Sequence, residues 1–269
     1  MEKAVILARG LGTRMRKADN NAQVNSKQAI IAETGVKAMI PIDRPFLDYV
    51  LHSLAEAGYQ KICLIIGPEH GQVREYYGNE LKYNRIEVDF GVQVEPLGTA
   101  DAVSAAEAFA GDDPFLVINS DNYYPMEALR SLRELEGPGL AAFERDSMVA
   151  GGNIVAEQVT KFAVVETDDE GYMTRIIEKP DEKTLATLPE PIGVSMNCWR
   201  FDASIFTACR SISPSARGEM ELPDAVEYTM KSMGCRYCAL MVKAPVLDMS
   251  SRSDIASVTE KLAGSEVNL

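Results

Sequence analysis

A glycine-rich turn near the amino terminus carries the clearest chemical signal in the sequence. Residues 3–8 form a predicted apolar strand that runs into Gly10-Leu11-Gly12-Thr13-Arg14. Backbone N–H groups that no side chain shields can cradle phosphate groups at the carboxyl end of such a strand. We therefore expect a nucleotide-binding turn with contacts from these residues: Leu7, Ala8, Gly10, Gly12 and Thr13.

The end of this turn narrows the class of phosphate ligand. The turn lacks the third glycine of a dinucleotide-binding fingerprint and also the Gly-Lys-Ser/Thr ending of a P-loop. Arg14 instead places a fixed cation beside the loop, which suits a triphosphate whose charge must be held during a reaction. Arg9 leaves two alternatives open: a further contact to phosphate or base, or a side chain that points outward.

The elements that must position this turn alternate between strands and helices. Apolar runs predict strands over 3–8, 61–66, 86–90 and 114–118. Helices are predicted between them, over 46–58, 69–77 and 100–109. This order predicts a mostly parallel sheet whose ligands lie beyond the carboxyl ends of its strands. Residues 16–36 are a long polar connection, and we expect a functional or mobile loop there.

The second half of the chain has a different pattern. Segments 161–167 and 172–178 flank Asp168-Asp169-Glu170-Gly171, which indicates a β-hairpin. Strands over 192–201 and 235–242 follow, with helices near 202–209, 221–233 and 251–263. We expect a small β-rich lobe packed on the sheet, within a single domain made of two halves, 1–140 and 141–269.

Asp121 follows the predicted strand over 114–118 and should lie at the same sheet edge as the glycine-rich turn. Mg²⁺ prefers one or two carboxylates together with phosphate oxygens and water. Asp121 is therefore a candidate Mg²⁺ ligand. The alternative is an aspartate that caps a helix or stabilises a turn.

Length, composition and charge bound the class of protein. The chain has 269 residues, of which 46% are hydrophobic and 25% charged, as is usual for a globular protein with a sizeable core. A net charge of −13 argues against non-specific nucleic-acid binding. Without a recognisable leader or an apolar run near the length of a membrane span, we expect a cytoplasmic protein with no nucleic-acid or membrane partner. The sequence leaves open whether the protein forms a homo-oligomer.

Five motifs in a fixed order carry a family resemblance. After the glycine-rich turn come Val36-Lys37-Ala38-Met39-Ile40-Pro41, Gln93-x-x-x-Leu97-Gly98-Thr99-Ala100, Asn119-Ser120-Asp121, Glu178-Lys179-Pro180 and Leu247-Asp248. Over residues 3 to about 263 the chain resembles the sugar-1-phosphate nucleotidyltransferases, or nucleoside-diphosphate-sugar pyrophosphorylases. The resemblance implies a Rossmann-like α/β fold: a mostly parallel mixed central sheet flanked by helices, with one reversed strand and a small β-rich sugar-binding lobe.

On the nucleotide side, the resemblance implies that Arg14 and Lys37 stabilise the triphosphate and the reacting phosphate. Lys27, in Ser26-Lys27-Gln28, is a second candidate. Lys37 is favoured because Pro41 and the helix from residue 46 follow it in register. Gln93 would read the edge of the base through its amide, which can donate and accept at once. The Leu-Gly-Thr-Ala context of Gly98 and Thr99 would let the backbone approach the base.

On the acceptor side, the resemblance implies that Glu178 grips sugar hydroxyls and Lys179 holds the sugar phosphate. Ser195 and Asn197 lie on the strand that would contact the sugar, and Asn197 stands where a glycine is typical. Asp248 would supply the second carboxylate for Mg²⁺. Glu219 is left open between a sugar contact and a helix cap.

The implied reaction joins an NTP and a sugar 1-phosphate to give an NDP-sugar and pyrophosphate, with Mg²⁺ as cofactor. The phosphate dianion is already a nucleophile, so alignment and charge neutralisation would supply the catalysis. Two alternatives stay open. Asn197 and Ala163 motivate transfer to a non-sugar phosphate. Val36, Asn197 and Met249 motivate a catalytically silent regulator that binds nucleotide sugars.

Overall fold

The computed structural model describes residues 1–19 and 21–269. Its strands are β1 Lys3–Leu7, β2 Lys61–Ile66, β3 Glu87–Val92, β4 Phe115–Asn119, β5 Asn122–Tyr123, β6 Gly139–Glu144, β7 Ala163–Thr167, β8 Met173–Glu178, β9 Gly193–Phe201, β10 Cys238–Val242 and β11 Leu247–Asp248. Its α-helices are α1 Thr13–Arg16, α2 Ser26–Thr34, α3 Phe46–Glu56, α4 Gly71–Glu75, α5 Thr99–Ser104, α6 Glu107–Ala110, α7 Met126–Glu134, α8 Arg145–Gly151, α9 Glu182–Leu185, α10 Ser204–Ser211, α11 Leu222–Met233 and α12 Arg252–Leu262.

One mixed sheet runs through the molecule in the strand order β10-β6-β9-β4-β1-β2-β3. Neighbours along this path are parallel, except that β9 is antiparallel to both β4 and β6. The predicted hairpin forms as β7 and β8, and β7 also pairs with β9. The mostly parallel sheet with one reversed strand in its main path is therefore confirmed, and strands from both halves of the chain build it.

The central strands are apolar along their whole length because helices cover both faces of the sheet. In β4, Leu116 and Ile118 belong to the core formed with α3, α7 and α12. Phe115 and Val117 belong to the core formed with α5, α10 and α11. This alternation has the two-residue period of a strand, and it explains why the apolar run is unbroken.

The strand register brings several carboxyl ends to one edge of the sheet. Leu7 lies beside Ile65 on one side and Asn119 on the other. Ile66 lies beside Val92, the last residue of β3. The segments that follow these strands therefore emerge together, at the edge where ligands bind in parallel α/β sheets.

Residues 16–36 are not the polar loop that the sequence suggested, because they include α2. The helix begins with reciprocal hydrogen bonds between Asn25 and Gln28, a capping box. The Gln28 amide also donates to the Pro41 carbonyl (2.9 Å) and to Thr259 Oγ1 (3.3 Å). The apolar residues of α2 do not gather on one face, so the sequence lacks the period that indicates a helix.

Several further elements were not anticipated, and α7 and β6 are the ones that bear on the sheet. β6 contains residues 140 and 141, where the predicted halves meet, and it pairs with β9 and β10. The predicted boundary therefore lies within a strand of the common sheet. The apolar run of β6 is short, and short runs do not separate strand from helix by period alone.

The helices that cover the sheet are short. The helix expected over 69–77 is α4 continued by a π-helical turn, Tyr76–Glu80, and the one expected over 100–109 is divided into α5 and α6. The longest helix in the described part of the chain, α11, has 12 residues. No helix within 1–19 and 21–269 has the length and apolar character needed to cross a bilayer.

Candidate functional site

A cleft of about 480 Å³ opens at the carboxyl ends of β1, β3 and β4. The predicted site residues that line it are Leu7, Ala8, Gly10, Gly12, Thr13, Lys37, Gln93, Gly98, Thr99, Asp121 and Asn197. The other predicted residues lie outside this lining: Arg14, Glu178, Lys179, Ser195 and Asp248. The structure thus gathers the glycine-rich turn, Lys37, Asp121 and the predicted base contacts around one cavity.

Gly10 and Gly12 occupy the turn for different structural reasons. Gly12 has a φ of 60°, and a Cβ placed on it would lie 2.1 Å from the Gly35 carbonyl oxygen. Gly12 is therefore required by close packing of the turn against Gly35. Around Gly10, no heavy atom of the described residues comes within 4 Å of an added Cβ. Gly10 is therefore the position where a ligand can approach the backbone.

Replacing each of these glycines by alanine should separate folding from binding. Gly12→Ala should lower the free energy of unfolding by roughly 2–3 kcal/mol, because the methyl group strains φ and meets backbone. Gly10→Ala should change the free energy of unfolding by less than about 0.5 kcal/mol. It should nevertheless weaken nucleoside triphosphate binding, because the methyl group enters the cleft. Urea denaturation and calorimetric titration measure the two effects, and equal stability of the two variants would contradict the assignment.

Lys37 forms an ion pair with Asp121 at the centre of the cleft. Its Nζ atom lies 2.7 Å from Asp121 Oδ2, and both side chains are largely buried. Lys37 opens the 3₁₀ turn Lys37–Met39, which Val36 separates from Gly35. Lys27, the second candidate, is exposed on α2 and does not line the cleft. The structure therefore favours Lys37 as the cation beside Asp121.

Asp248 reaches the same region on β11. β11 is antiparallel to β5, which places Asp248 opposite Asn122, and the Asn122 amide donates to Asp248 Oδ1 at 2.9 Å. The Met249 N–H donates to the Asp121 carbonyl at 2.8 Å. Burial, and secondly the nearby Asp121 carboxylate, raise the pKa of the Asp248 carboxyl to about 6. The Asp121 carboxylate therefore lies close enough to Asp248 to disfavour the charged form of Asp248.

This carboxylate pair fits a divalent cation. Mg²⁺ takes hard oxygen ligands and is held in proteins by one or two carboxylates, with phosphate oxygens and water completing the shell. Asp121 and Asp248 would be its protein ligands. Among residues 1–19 and 21–269, His, Cys, Asp and Glu do not gather into a metal-binding group of three or more. A cation held by these two carboxylates would take its remaining ligands from phosphate oxygens and water.

Arg14 lies in a second cavity, of about 410 Å³, which Asp248 also lines. Other cationic residues around this cavity are Lys17, Lys161 and Arg252. Because Asp121 lines the main cleft and Asp248 lines this cavity, the carboxylate pair stands between the two spaces. Four basic and three acidic side chains line the second cavity, so an anion there would depend on its basic side, which includes Arg14.

The raised pKa of Asp248 should produce a measurable pH dependence of stability. Its folded-state pKa of about 6 lies above the ordinary 3.8, so the folded protein keeps this proton where the unfolded chain has lost it. The stabilising contribution is complete below about pH 4 and is lost as the pH rises to about 6. We expect the melting temperature of Asp248→Asn to rise relative to that of the wild type as the pH increases from 4 to 7. Calorimetry without divalent cations measures this difference. A difference that does not vary with pH would contradict this assignment.

Gln93 is buried at the other side of the cleft, after β3. Its Nε2 donates to the Gly98 carbonyl at 2.9 Å and to Asp101 Oδ2 at 2.8 Å. Both partners are acceptors, so the orientation of the amide is fixed and both of its hydrogens are engaged. From the sequence we expected this amide both to donate to a base and to accept from it. In the structure only Oε1 is left for a ligand, so the amide can accept but not donate.

Gly98 and Thr99 connect the Gln93 side of the cleft to the start of α11. Gly98 has a φ of 118°, and a Cβ on it would lie 2.5 Å from the Met220 carbonyl oxygen. Thr99 Oγ1 accepts a hydrogen bond from the Leu222 N–H at 2.9 Å. The same junction brings Glu219 to the cleft. Gly98 and Thr99 both line the cavity, and the Thr99 hydroxyl is already hydrogen-bonded to the start of α11.

Asn197 has a φ of 54°, at an irregularity of β9. This left-handed conformation favours glycine and tolerates asparagine, so the asparagine satisfies the backbone requirement of a typical glycine position. Its amide lies at the cleft, 3.5 Å from Asn119 Oδ1. Ser195, two residues earlier, is buried between β6 and β7 and does not line the cleft.

Glu178 and Lys179 lie in a third cavity, of about 310 Å³. Glu178 Oε1 is 3.6 Å from Lys179 Nζ and 3.4 Å from Arg217 Nη2. Burial, and secondly the charge of Glu221, raise the pKa of Glu178. The structure does not bring Glu178 and Lys179 into the cleft that holds Asp121. Arg217 was missed because it lies in a polar segment without a motif.

A chain of amides connects Asn197 in the cleft with Asp248, and the sequence analysis missed it. Asn197 donates to Asn119, Asn119 Nδ2 donates to Asn122 Oδ1 at 3.1 Å, and Asn122 donates to Asp248. These hydrogen bonds therefore link the position of the Asp248 carboxylate to Asn197. The run Asn119-Ser120-Asp121-Asn122 after a buried strand was the available signal.

The sequence matches a family model described as "Nucleotidyl transferase" over residues 3–263. The chain therefore belongs to the nucleotidyl transferase family, which the five ordered motifs predicted.

Two curated relatives carry specific names. The low-salt glycan biosynthesis nucleotidyltransferase Agl11 of Haloferax volcanii is 30% identical over 231 residues, which is 84% of this chain and 56% of the relative. The chain thus spans little more than half of Agl11. The UTP–glucose-1-phosphate uridylyltransferase AglF of the same organism is 26% identical over 262 residues, 97% of this chain and 96% of the relative. These names agree with the class of enzyme expected from the motifs.

A solved structure of UDP-glucose pyrophosphorylase complexed with UDP-glucose has the same architecture. It superposes with a TM-score of 0.75 at 20% identity, and the alignment covers 99% of this chain and all of that one. The comparison confirms the predicted nucleotidyltransferase fold.

Proposed function

We propose that this protein transfers a nucleotidyl group from a nucleoside triphosphate to a sugar 1-phosphate and releases pyrophosphate. The observation that carries the proposal is the cluster of Lys37, Asp121 and Asp248 between two cavities. On one side lies the main cleft with the open backbone of Gly10. On the other lies the cationic cavity of Arg14. Such an arrangement can hold a phosphate under attack and a polyphosphate that departs.

The proposed reaction is an in-line displacement at the α-phosphorus. An oxygen of the sugar phosphate forms the new P–O bond as the bond to the pyrophosphate oxygen breaks. The attacking phosphate is already ionised, so the cleft needs no general base. Lys37 would neutralise charge on the reacting phosphate, and Arg14 would stabilise the leaving pyrophosphate. Mg²⁺ held by Asp121 and Asp248 would supply further charge neutralisation.

The nucleotide would lie between the glycine-rich turn and Gln93. Oε1 of Gln93 can accept from a ring N–H, as uracil and thymine offer at N3. Backbone at Leu7, Ala8, Gly12, Thr13, Gly98 and Thr99 would enclose the nucleotide. The name of AglF makes UTP and glucose 1-phosphate the first pair to test. Such substrates would place the enzyme in the cytoplasm.

We assign the acceptor to the side of Asn197. The Asn197 amide faces the cleft beside Asn119, where sugar hydroxyls can exchange hydrogen bonds with it. Ser195 does not line the cleft, so its contribution would be to fix the position of β9. Glu178 would bind sugar hydroxyls and Lys179 would hold the sugar phosphate, although both residues line the cavity of Arg217 and not the main cleft.

Lys179→Ala tests the acceptor assignment. Losing a charge-assisted contact from this half-exposed lysine should raise the KM for sugar 1-phosphate about tenfold. The KM for the nucleoside triphosphate should stay within about twofold, because the nucleotide lies in the main cleft. Lys183→Ala, an exposed lysine on α9, is the matched control. Equal changes in both KM values would contradict a role confined to the acceptor.

The decisive experiment is pyrophosphate release with Mg²⁺, with each of the five common nucleoside triphosphates paired against a panel of sugar 1-phosphates and phosphorylated alcohols. Release with one sugar phosphate would support the proposal and identify both substrates. Release with a phosphorylated alcohol alone would move the function to a non-sugar acceptor. Nucleotide binding without release from any pair would favour a silent binding protein.

A further inference from the structure

Arg9 is a buried cation in the wall of the main cleft. Its side chain is 7% exposed. Nε donates to the Gln93 carbonyl at 2.9 Å, and Nη2 donates to the Val94 carbonyl at 3.2 Å. Nη2 also lies 3.4 Å from the half-exposed carboxylate of Glu69. Of the two alternatives that the sequence left open, the structure therefore selects the side chain that points inward.

The third nitrogen of this guanidinium, Nη1, is buried and has no hydrogen-bond partner among residues 1–19 and 21–269. A buried charged donor without an acceptor is unfavourable, and native proteins rarely leave one unexplained. Arg9 lines the cleft, so a ligand there can supply the missing acceptor once a small side-chain shift uncovers the buried Nη1 atom.

The position of Arg9 indicates which part of a nucleotide that ligand atom belongs to. Arg9 leaves β1 towards β3, where its bonds to residues 93 and 94 hold it. Asp121 follows β4, which lies on the opposite side of β1 in the sheet. Arg9 is therefore held away from the carboxylates and beside Gln93, at the end of the cleft that the proposed function assigns to the base.

Gln93 and Arg9 offer complementary groups at this end. The Gln93 amide has only its Oε1 acceptor left, and Arg9 has only its Nη1 donor left. A base that presents a ring N–H next to a carbonyl oxygen matches both groups, and uracil, thymine and guanine do so. Arginine recognises the carbonyl edge of guanine in DNA through the same kind of contact.

We propose that Arg9 is a specificity-determining residue for the nucleotide base, with Nη1 donating to the carbonyl oxygen of a keto base whose ring N–H donates to Gln93. This inference rests on the proposed function for the location of the base. It concerns the side chain of Arg9, and it requires neither turnover nor a particular acceptor.

The test is calorimetric binding of UDP, dTDP, GDP, ADP, CDP and tripolyphosphate to the wild type and three variants. The wild type should prefer one of the three keto-base nucleotides over ADP and CDP. Arg9→Met should reduce that preference roughly tenfold to hundredfold, the range expected for one specific arginine–base contact. Tripolyphosphate affinity should stay within about twofold of the wild type.

Arg9→Lys keeps the positive charge but loses the planar, forked arrangement of guanidinium donors, so it should lose the base preference as well. Arg74→Met is the matched control, because Arg74 is exposed and stacks on Phe90 outside the cleft. Its binding profile should equal that of the wild type. Melting temperatures establish that each variant is folded.

Three outcomes would overturn the inference. Equal loss of affinity for all five nucleotides and for tripolyphosphate in Arg9→Met would make Arg9 a phosphate contact. An unchanged base preference in folded Arg9→Met and Arg9→Lys would make it a structural tie to residues 93 and 94. A wild-type preference for ADP or CDP would contradict the keto-base assignment.

The proposed function can fail separately. A wild type that binds a keto-base nucleotide through Arg9 but releases no pyrophosphate with any acceptor would refute nucleotidyl transfer and leave the role of Arg9 intact. Turnover with an unchanged base preference in the Arg9 variants would refute the role of Arg9 alone.

Discussion

Asp121→Asn should lower kcat/KM for nucleotidyl transfer by at least about a thousandfold. Asp121 pairs with Lys37 at 2.7 Å and stands beside Asp248, so its charge would organise the proposed reacting region. The asparagine keeps the shape of the side chain and removes the charge that would hold Mg²⁺ and orient Lys37. Steady-state pyrophosphate release at several Mg²⁺ concentrations measures the loss, and the variant should also need more Mg²⁺ for half-maximal activity.

The control for this variant is Asp112→Asn, at an exposed turn remote from the cleft. It lowers the net negative charge by the same amount and should keep kcat/KM within about twofold. If Asp121→Asn kept activity within tenfold of the wild type at equal Mg²⁺, the assignment of Asp121 to the reacting centre would be wrong.

Asp48→Ala should lower the free energy of unfolding by about 3–5 kcal/mol. Asp48 is fully buried on α3 and accepts hydrogen bonds from Arg44 Nε (2.6 Å), Tyr77 OH (2.8 Å) and Tyr76 OH (3.1 Å). Alanine leaves the Tyr77 hydroxyl buried without this acceptor and the Arg44 cation without its carboxylate. Urea denaturation followed by circular dichroism measures the change.

Glu227→Gln provides the comparison for Asp48→Ala. It removes one partner of an exposed pair with Lys231 on α11, and such pairs contribute less than about 1 kcal/mol. Nucleotide affinity should be the same in both variants at a temperature where both are folded, because neither residue lines the cleft. A loss below 1 kcal/mol for Asp48→Ala would show that the buried network is replaceable by water.

The edge of the sheet was predictable from the sequence because its signals are local. Each central strand is a short apolar run, and the residue types that follow the runs, Gly10, Gln93 and Asp121, are those that contact ligands at strand ends. Parallel topology then brings these residues together without any knowledge of side-chain contacts. The structure gathers all three at one cleft.

The remaining features depend on contacts between distant parts of the chain. Gly12 and Gly98 both have a positive φ, and a Cβ on them would collide with Gly35 and Met220 respectively. α2 is held by the contact of Gln28 with Thr259, 231 residues away. Neither the division of the site into three cavities nor the inward direction of Arg9 has a local sequence signal. Residue spacing alone therefore could not reveal them.

The reversed strand β9 has a consequence for synthesis of the chain. β4 and β6 are complete before residue 145, yet each has an edge that pairs only with residues 193–201. Until the ribosome has released those residues, these two edges have unpaired backbone groups, as does the edge of β6 that later pairs with β10. Unpaired strand edges are the usual starting points of aggregation. A fragment that stops before β9 would therefore expose those edges permanently, although it contains the glycine-rich turn, Lys37 and Asp121.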